Sequence, residues 1–270
     1  ANASLRDIYA RCQEGQGHST TTRLVSLSEA EVAALDRFAR NPIAYEVPDI
    51  AFCLNPENDW SAIEEAYLAC NPEMVVIDNL LSGQALQELR NFCHRSNVWM
   101  REYRRQYLGA FATNGFVSPL HVRIGMELRQ RLPRIFGGQG LNQLWGFKYT
   151  SKLGSGINVH ADFAKVNLNF WITPDEANLD PDSGGLIVYD VPSPPSWRYR
   201  KYNEDEQGIY DFLKQNGAVP KKVSHKCNRA VLFNSTLFHE TDRIHFREGY
   251  LNRRINITYL FGKGLKGFGQ

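Results

Sequence analysis

The chain of 270 residues is 43% hydrophobic and 22% charged, which excludes an intrinsically disordered protein and supplies enough apolar side chains for a sizeable core. Lys and Arg number 31 against 29 Asp and Glu, so a net charge of +2 gives no electrostatic ground for binding nucleic acid. The five cysteines form no C-x-x-C pair and read as reduced thiols of a cytoplasmic protein; no apolar run approaches the ~18 residues a membrane span requires. The N-terminus lacks the apolar stretch of a signal peptide, and the chain opens on Ala1 rather than Met, as a fragment or a processed form would.

Residues 1–72 read as a helical N-terminal extension. Ser28 and Glu31 have capping-box spacing, and SEAEVAALDRFAR places Val32, Leu35 and Phe38 on one helical stripe that Pro42 ends. A second helix is predicted in DWSAIEEAYLAC, capped by Asp59 or Ser61 and closed by Asn71-Pro72. From Glu73 the texture changes. MVVIDNLL is a β-branched run, Ser82 caps a helix over GQALQELRNFCHRS, and SPLHVRIGMELRQRLPRIF is a third helix with Pro119 in its first turn.

Beyond Gly137 the pattern is mainly strand: LNQLWGFKYT, AKVNLNFWIT, GLIVYDV, AVLFN and RINITYLFG, separated by Gly, Pro, Asn and Asp clusters. Without helices of crossover length between most of them, an antiparallel sandwich or jelly roll is expected, not a doubly wound sheet. Residues 73–270 thus form one β-rich domain, interrupted by a long insertion at 192–222. Trp197, Arg198, Tyr199 and Arg200 in that insertion are candidate lid or substrate-binding residues, since loops of this length in a compact domain are often functional.

His160 and Asp162 stand two apart at the head of a strand-rich segment, so extended backbone sends both side chains to one face. Imidazole and carboxylate suit iron(II), and a third His from a distant strand would complete a facial two-His-one-carboxylate set. His239, after AVLFNSTLF, is the best placed; His18 and His94 lie in the N-terminal half, His121 in a helix and His225 in a basic loop. Arg253 and Arg254 open the last strand, and a guanidinium there could hold a dicarboxylate's far end. Arg254 shares a face with Asn256 and Thr258, which makes its burial cheaper, and Arg253 is the alternative. Asn167 and Asn169, alternating along AKVNLNFWIT, and Tyr149 on the preceding strand are further cofactor-binding candidates.

In order, KYTSKLGSGINVHADFAKVNLNFWIT, DSGGLIVYDV, NRAVLFNSTLFHET and RRINITYLFG resemble the catalytic core of the 2-oxoglutarate and iron(II)-dependent dioxygenases, in texture the prolyl-4-hydroxylase-like branch. The R-x-N-x-T spelling of Arg254, Asn256 and Thr258 is similar to the cofactor strand of the alkylation-repair branch. The resemblance implies an α+β protein with a mainly β core, a double-stranded β-helix with supporting helices. It also implies Fe(II) on His160, Asp162 and His239, 2-oxoglutarate as cosubstrate, O2, and hydroxylation of a C–H bond with release of succinate and CO2. With a carboxylate at Asp162, halogenation is not expected. The substrate is expected to be a small molecule or an amino-acid side chain. The alternatives are a prolyl-type protein hydroxylase and a jelly-roll binding module without turnover that uses the Trp197 to Tyr202 segment.

Overall fold

The alternation that marks the strands resolves into two antiparallel sheets facing each other. A computed structural model describes residues 5–10, 26–40, 43–103, 107–149 and 156–265; Cys12, His18 and residues 150–155 lie outside the described residues. Ten strands are described: β1 (Met74–Ile77), β2 (Arg101–Tyr103), β3 (Tyr107–Phe111), β4 (Leu141–Tyr149), β5 (Val166–Trp171), β6 (Leu186–Pro192), β7 (Pro220–Val223), β8 (Ala230–Asn234), β9 (Leu237–Thr241) and β10 (Ile255–Phe261). The large sheet runs β1-β8-β5-β10-β4-β3-β2 and the small one β7-β6-β9. This is the jelly roll that the strand spacing predicts.

The expected strand AVLFN is β8, and His239 lies on a separate strand, β9, in the other sheet. Asn234 accepts hydrogen bonds from the Thr236 backbone N–H at 3.1 Å and its hydroxyl at 2.9 Å. This side-chain turn breaks the strand and carries the chain from β8 in the large sheet to β9 in the small one. Strands β2, β3, β7 and β9 were not expected from the sequence pattern; β2 has three residues and β7 begins on Pro220.

Helices α1 (Glu29–Arg40), α2 (Trp60–Ala69), α3 (Gly83–Arg95) and α4 (Pro119–Arg131) begin where capping chemistry places them. Ser28 and Glu31 form the reciprocal box, with Ser28 N–H donating to Glu31 at 2.7 Å; Asp59 accepts from Ala62 N–H at 2.9 Å, and Ser82 accepts from Ala85 N–H at 3.2 Å. Leu89 and Phe92 of α3, with Leu120, Ile124 and Leu128 of α4, pack in one core with Phe170, Ile255 and Ile257 of the large sheet. Ile50, Cys53, Leu54, Trp60 and Tyr67 lie in that same core. Glu127 of α4 accepts the Cys53 and Leu54 amides at 3.0 and 2.8 Å. No helix among the described residues is long and apolar enough to cross a membrane.

The insertion is structured throughout its length. A wide helical turn, Arg200–Glu204, leads to Asp205, whose carboxylate accepts from Gly208 N–H at 3.1 Å and caps α5 (Glu206–Gln215); β7 closes the segment.

Candidate metal centre and adjoining cavity

Backbone hydrogen bonds fix the run that carries His160 and Asp162. His160 and His239 exchange both backbone bonds, at 3.0 and 2.8 Å, and Asp162 N–H donates to Ser235 O at 3.0 Å. Between them, Ala161 N–H donates to Tyr202 O at 2.9 Å and Ala161 O accepts from the Asn203 amide at 3.1 Å. The insertion therefore clamps the residue between the two strand-head side chains. Asn203 was not among the residues singled out in the sequence, because nothing local marks a contact across 42 positions.

The three side chains converge. Donor atoms of His160, Asp162 and His239 all lie within 4.8 Å of one another, with His160 Nε2 4.0 Å from one Asp162 oxygen and His239 Nε2 3.5 Å from the other. Each imidazole places Nδ1 beside a backbone carbonyl, His160 on Asn158 at 2.7 Å and His239 on Leu237 at 3.0 Å. A carbonyl only accepts, so Nδ1 carries the proton and both Nε2 lone pairs face the shared centre. Burial, and then the neighbouring His239, push His160 down to about 4, so this imidazole is a neutral ligand at neutral pH. Burial pushes the Asp162 carboxyl up, but the two histidines and the Asn167 amide, which donates at 2.8 Å, bring it below its ordinary value. Two imidazole nitrogens and one carboxylate with open space beside them are donors suited to a first-row dication such as iron(II).

A cavity of about 350 Å3 between the sheets opens from this triad. Arg254, Asn256 and Asn169 line it with Asn167. The Arg254 guanidinium is buried and donates to Gly184 O at 2.5 Å, Gly185 O at 3.1 Å and Asn256 Oδ1 at 3.0 Å, all neutral acceptors. Close approach of the Gly184-Gly185 turn makes this possible, since a Cβ on Gly185 would stand 1.8 Å from Val223 O. No carboxylate lies within ion-pair distance of Arg254 among the described residues. Burial lowers its pKa, against Tyr149 and the more distant Asp242, yet an arginine keeps its proton, so the cavity holds a cation with no direct ion-pair partner among the described residues. The Oδ1 atoms of Asn167 and Asn169 are buried without a hydrogen-bond partner. The buried Arg254 guanidinium fits an anionic group in the space beside the triad, and the orphaned amide oxygens, which can only accept, fit a hydrogen-bond donor there.

Arg253 is placed differently: half-buried, its guanidinium lies 5.9 Å from the Tyr250 ring and outside the cavity lining. Tyr149 is not a lining residue either, but its buried ring lies 4.8 Å from the Arg254 guanidinium and supports it. Of the four insertion residues, only Tyr199 lines the cavity. Trp197 packs on Phe212 and Phe238, at 4.8 and 5.9 Å between ring centres, while Arg198 and Arg200 are exposed. The remaining wall is aromatic, formed by β2, β3 and β4. Its signal in the sequence is the period-two recurrence in Tyr107-Gly109-Phe111 and in Trp145-Phe147.

No protein-family model and no curated protein matches the chain. Among solved structures, the chain is similar to SnoK, a non-haem α-ketoglutarate-dependent carbocyclase from nogalamycin biosynthesis, with a TM-score of 0.53 and 12% identity over 74% of this chain and 83% of that one. It is similar to the epimerase SnoN in complex with Fe3+, α-ketoglutarate and nogalamycin RO, with a TM-score of 0.51 and 11% identity over 78% and 87% of the two chains. A third match is HygX from Streptomyces hygroscopicus with nickel and 2-oxoglutarate bound, with a TM-score of 0.50 and 16% identity over 74% and 86%. The chain thus has the jelly-roll fold of the iron- and 2-oxoglutarate-dependent oxygenases.

Proposed function

We propose that the protein is an iron(II)- and 2-oxoglutarate-dependent oxygenase that hydroxylates a C–H bond of a small molecule. The observation that carries this reading is the pairing, in one cavity, of the convergent His160, Asp162 and His239 donors with the buried, carboxylate-free Arg254. Iron and 2-oxoglutarate, when bound, would supply the oxidative chemistry, in which O2 delivers one oxygen atom to the substrate while 2-oxoglutarate becomes succinate and CO2.

The chain's own residues bind, orient and exclude water. Asn158 and Leu237 carbonyls hold the two imidazoles in the ligating tautomer, and Asn167 steadies the Asp162 carboxylate. Arg254 would take the far carboxylate of the cosubstrate, the charge for which its forked donors are suited. Asn256 keeps the guanidinium oriented, and Asn169 is held by the Thr258 hydroxyl at 3.0 Å. Tyr199 and the aromatic wall keep water from the reacting centre. A cavity between sheets, bordered by a folded insertion, favours a small molecule over a protein side chain as substrate.

The test is anaerobic titration of the purified protein with iron(II) and then 2-oxoglutarate, followed calorimetrically, with succinate measured after O2 is admitted. Iron and 2-oxoglutarate are expected to bind in that order, with slow substrate-independent succinate formation. His160→Ala should lose iron binding, and Arg254→Met should weaken 2-oxoglutarate binding while keeping iron. Wild-type protein that binds neither iron nor 2-oxoglutarate would overturn the reading; binding of both without succinate would make it a binding module.

A further inference from the structure

The wall farthest from Arg254 in the sequence is the most specialised. Tyr103 and Tyr107 stack at 4.6 Å between ring centres with only 7° between planes. Phe147 stands perpendicular to both, 5.8 Å from Tyr103 and 5.4 Å from Tyr107, so the three rings make a right-angled corner. Phe111 and Trp145, 6.1 Å apart, continue the wall. Gly109 lies on the same face, and a Cβ there would come within 2.8 Å of Tyr103, 3.1 Å of Phe111 and 3.2 Å of Phe147. The rings close over a position where any side chain would hold them apart.

Above this corner, among the described residues, lies the Arg101 guanidinium. Arg101 pairs with Gly109 across β2 and β3, and its guanidinium lies 5.0 Å from the Tyr103 ring and 5.5 Å from that of Phe111. It has no carboxylate partner among the described residues. Among the described residues, Asp162 is the only acid lining the cavity, against Arg101 and Arg254. If Asp162 serves the metal and Arg254 the cosubstrate, a dication and two guanidinium groups face one carboxylate and a dianionic cosubstrate. One positive charge is left over, and Arg101 is where it sits.

We propose that the substrate is a flat, mainly apolar ring system bearing an acidic group, its ring held by Tyr103, Tyr107 and Phe147 and its acid by Arg101. Aromatic walls reward a flat ring by stacking or edge contact beyond the area it buries. A guanidinium already lying against two rings is preorganised to form a forked bond to a carboxylate or phosphate. The inference rests on the oxygenase reading of the same cavity, because it takes Arg254 and Asp162 to be occupied.

The test uses protein loaded with nickel(II) and 2-oxoglutarate, titrated calorimetrically with 2-naphthoate, 2-naphthamide and octanoate. Naphthoate should bind about tenfold or more tightly than either of the others, the amide lacking the charge and octanoate the ring. Arg101→Gln, an exposed edge position, should erase the preference for naphthoate over naphthamide. Tyr103→Leu should erase the preference for naphthoate over octanoate, with thermal unfolding confirming that both variants are folded. Equal binding of naphthoate and octanoate to the wild type, or an unchanged naphthoate-to-naphthamide ratio in Arg101→Gln, would overturn the inference. Loading by nickel(II) and 2-oxoglutarate with no probe bound overturns it alone; failure of the wild type to load overturns the oxygenase reading with it.

Discussion

The large sheet buries a cation on each of its faces, and the two are solved in opposite ways. On the helix side, Lys148 of β4 lies in a box of Trp99 and Tyr250, 4.6 and 4.2 Å from the ring centres, and donates to Tyr250 Oη at 3.0 Å and Cys93 O at 3.3 Å. On the cavity side, Arg254, next to the strand residue Ile255 that pairs with Lys148, also meets only neutral acceptors and two rings. Burial brings Lys148 down to about 7, so it can discharge by giving up its proton. Arginine has no such exit. A buried lysine among rings is thus a packing solution complete in itself, whereas a buried arginine facing an open cavity is a site awaiting an anion.

The largest expected effect spans both faces. His121, between Phe92 and Phe116 on the helix side, and His225, packed against Trp171 and Phe246 toward Arg254, are both pushed by burial down to about 3. Unfolded, each would take a proton near its ordinary value of 6.5, so between about 6.5 and 3 the unfolded chain binds more protons. Stability therefore rises with pH across that window and is lost as pH falls through it. Two such groups give a slope of about 2.7 kcal/mol per pH unit. Urea midpoints measured from pH 4 to 7 should climb steeply; a flat profile would mean these imidazoles are solvated, not buried.

Second comes Arg254→Met, which tests the cavity half of the comparison. Loss of a charge-assisted, forked contact should weaken 2-oxoglutarate binding by roughly 30- to 100-fold, about 2–3 kcal/mol. The urea midpoint should change far less, because the variant also removes a buried charge that the protein leaves unpaired. If stability collapses and cosubstrate affinity does not change, Arg254 is a structural cation like Lys148. Lys148→Met is the mirror experiment. In the wild type the unfolded lysine stays protonated up to its ordinary 10.5 while the folded one discharges above about 7. Stability should therefore rise with pH between those values, by up to about 1.4 kcal/mol per unit. The variant should lose that rise and bind metal and 2-oxoglutarate as before.

Much of the fold and of this contrast was legible in the chain. His160 and Asp162 two apart, and Arg254, Asn256 and Thr258 alternating with Ile255, Ile257 and Tyr259, are period-two statements that extended backbone turns directly into faces. What escaped depends on distant partners. The rings of β2 and β3 become a wall only when they pair with each other and with β4, and the three-residue strand Arg101–Tyr103 leaves too short a pattern to read. Aromatic and basic neighbours such as those of Trp197 suit a ligand and a core equally well; packing on Phe212 and Phe238 takes it into a small core that the insertion shares with β9 and the run before Asp162. Lys148 went unnoticed because its box is assembled from Trp99 and Tyr250, far apart in sequence.

The smallest effect probes how finely the cavity face is tuned. Asn167 spends its amide on the Asp162 carboxylate, at 2.8 Å, and leaves its own oxygen unpartnered in a buried place. An apolar residue would pack there at no such cost, so the amide is retained for what it does to Asp162. Two consequences follow from removing it. Asn167→Ala should weaken iron(II) or manganese(II) binding about tenfold, since a supporting hydrogen bond orients a ligand without being one. It should also let the Asp162 carboxyl rise, so that metal affinity begins to fall at a higher pH than in the wild type. Asn169→Ala is the control on the same strand face, because Asn169 is held by Thr258 and touches no donor of the triad. Equal losses of metal affinity in the two variants would show that general polarity of the face, and not this one hydrogen bond, sets the strength of the site.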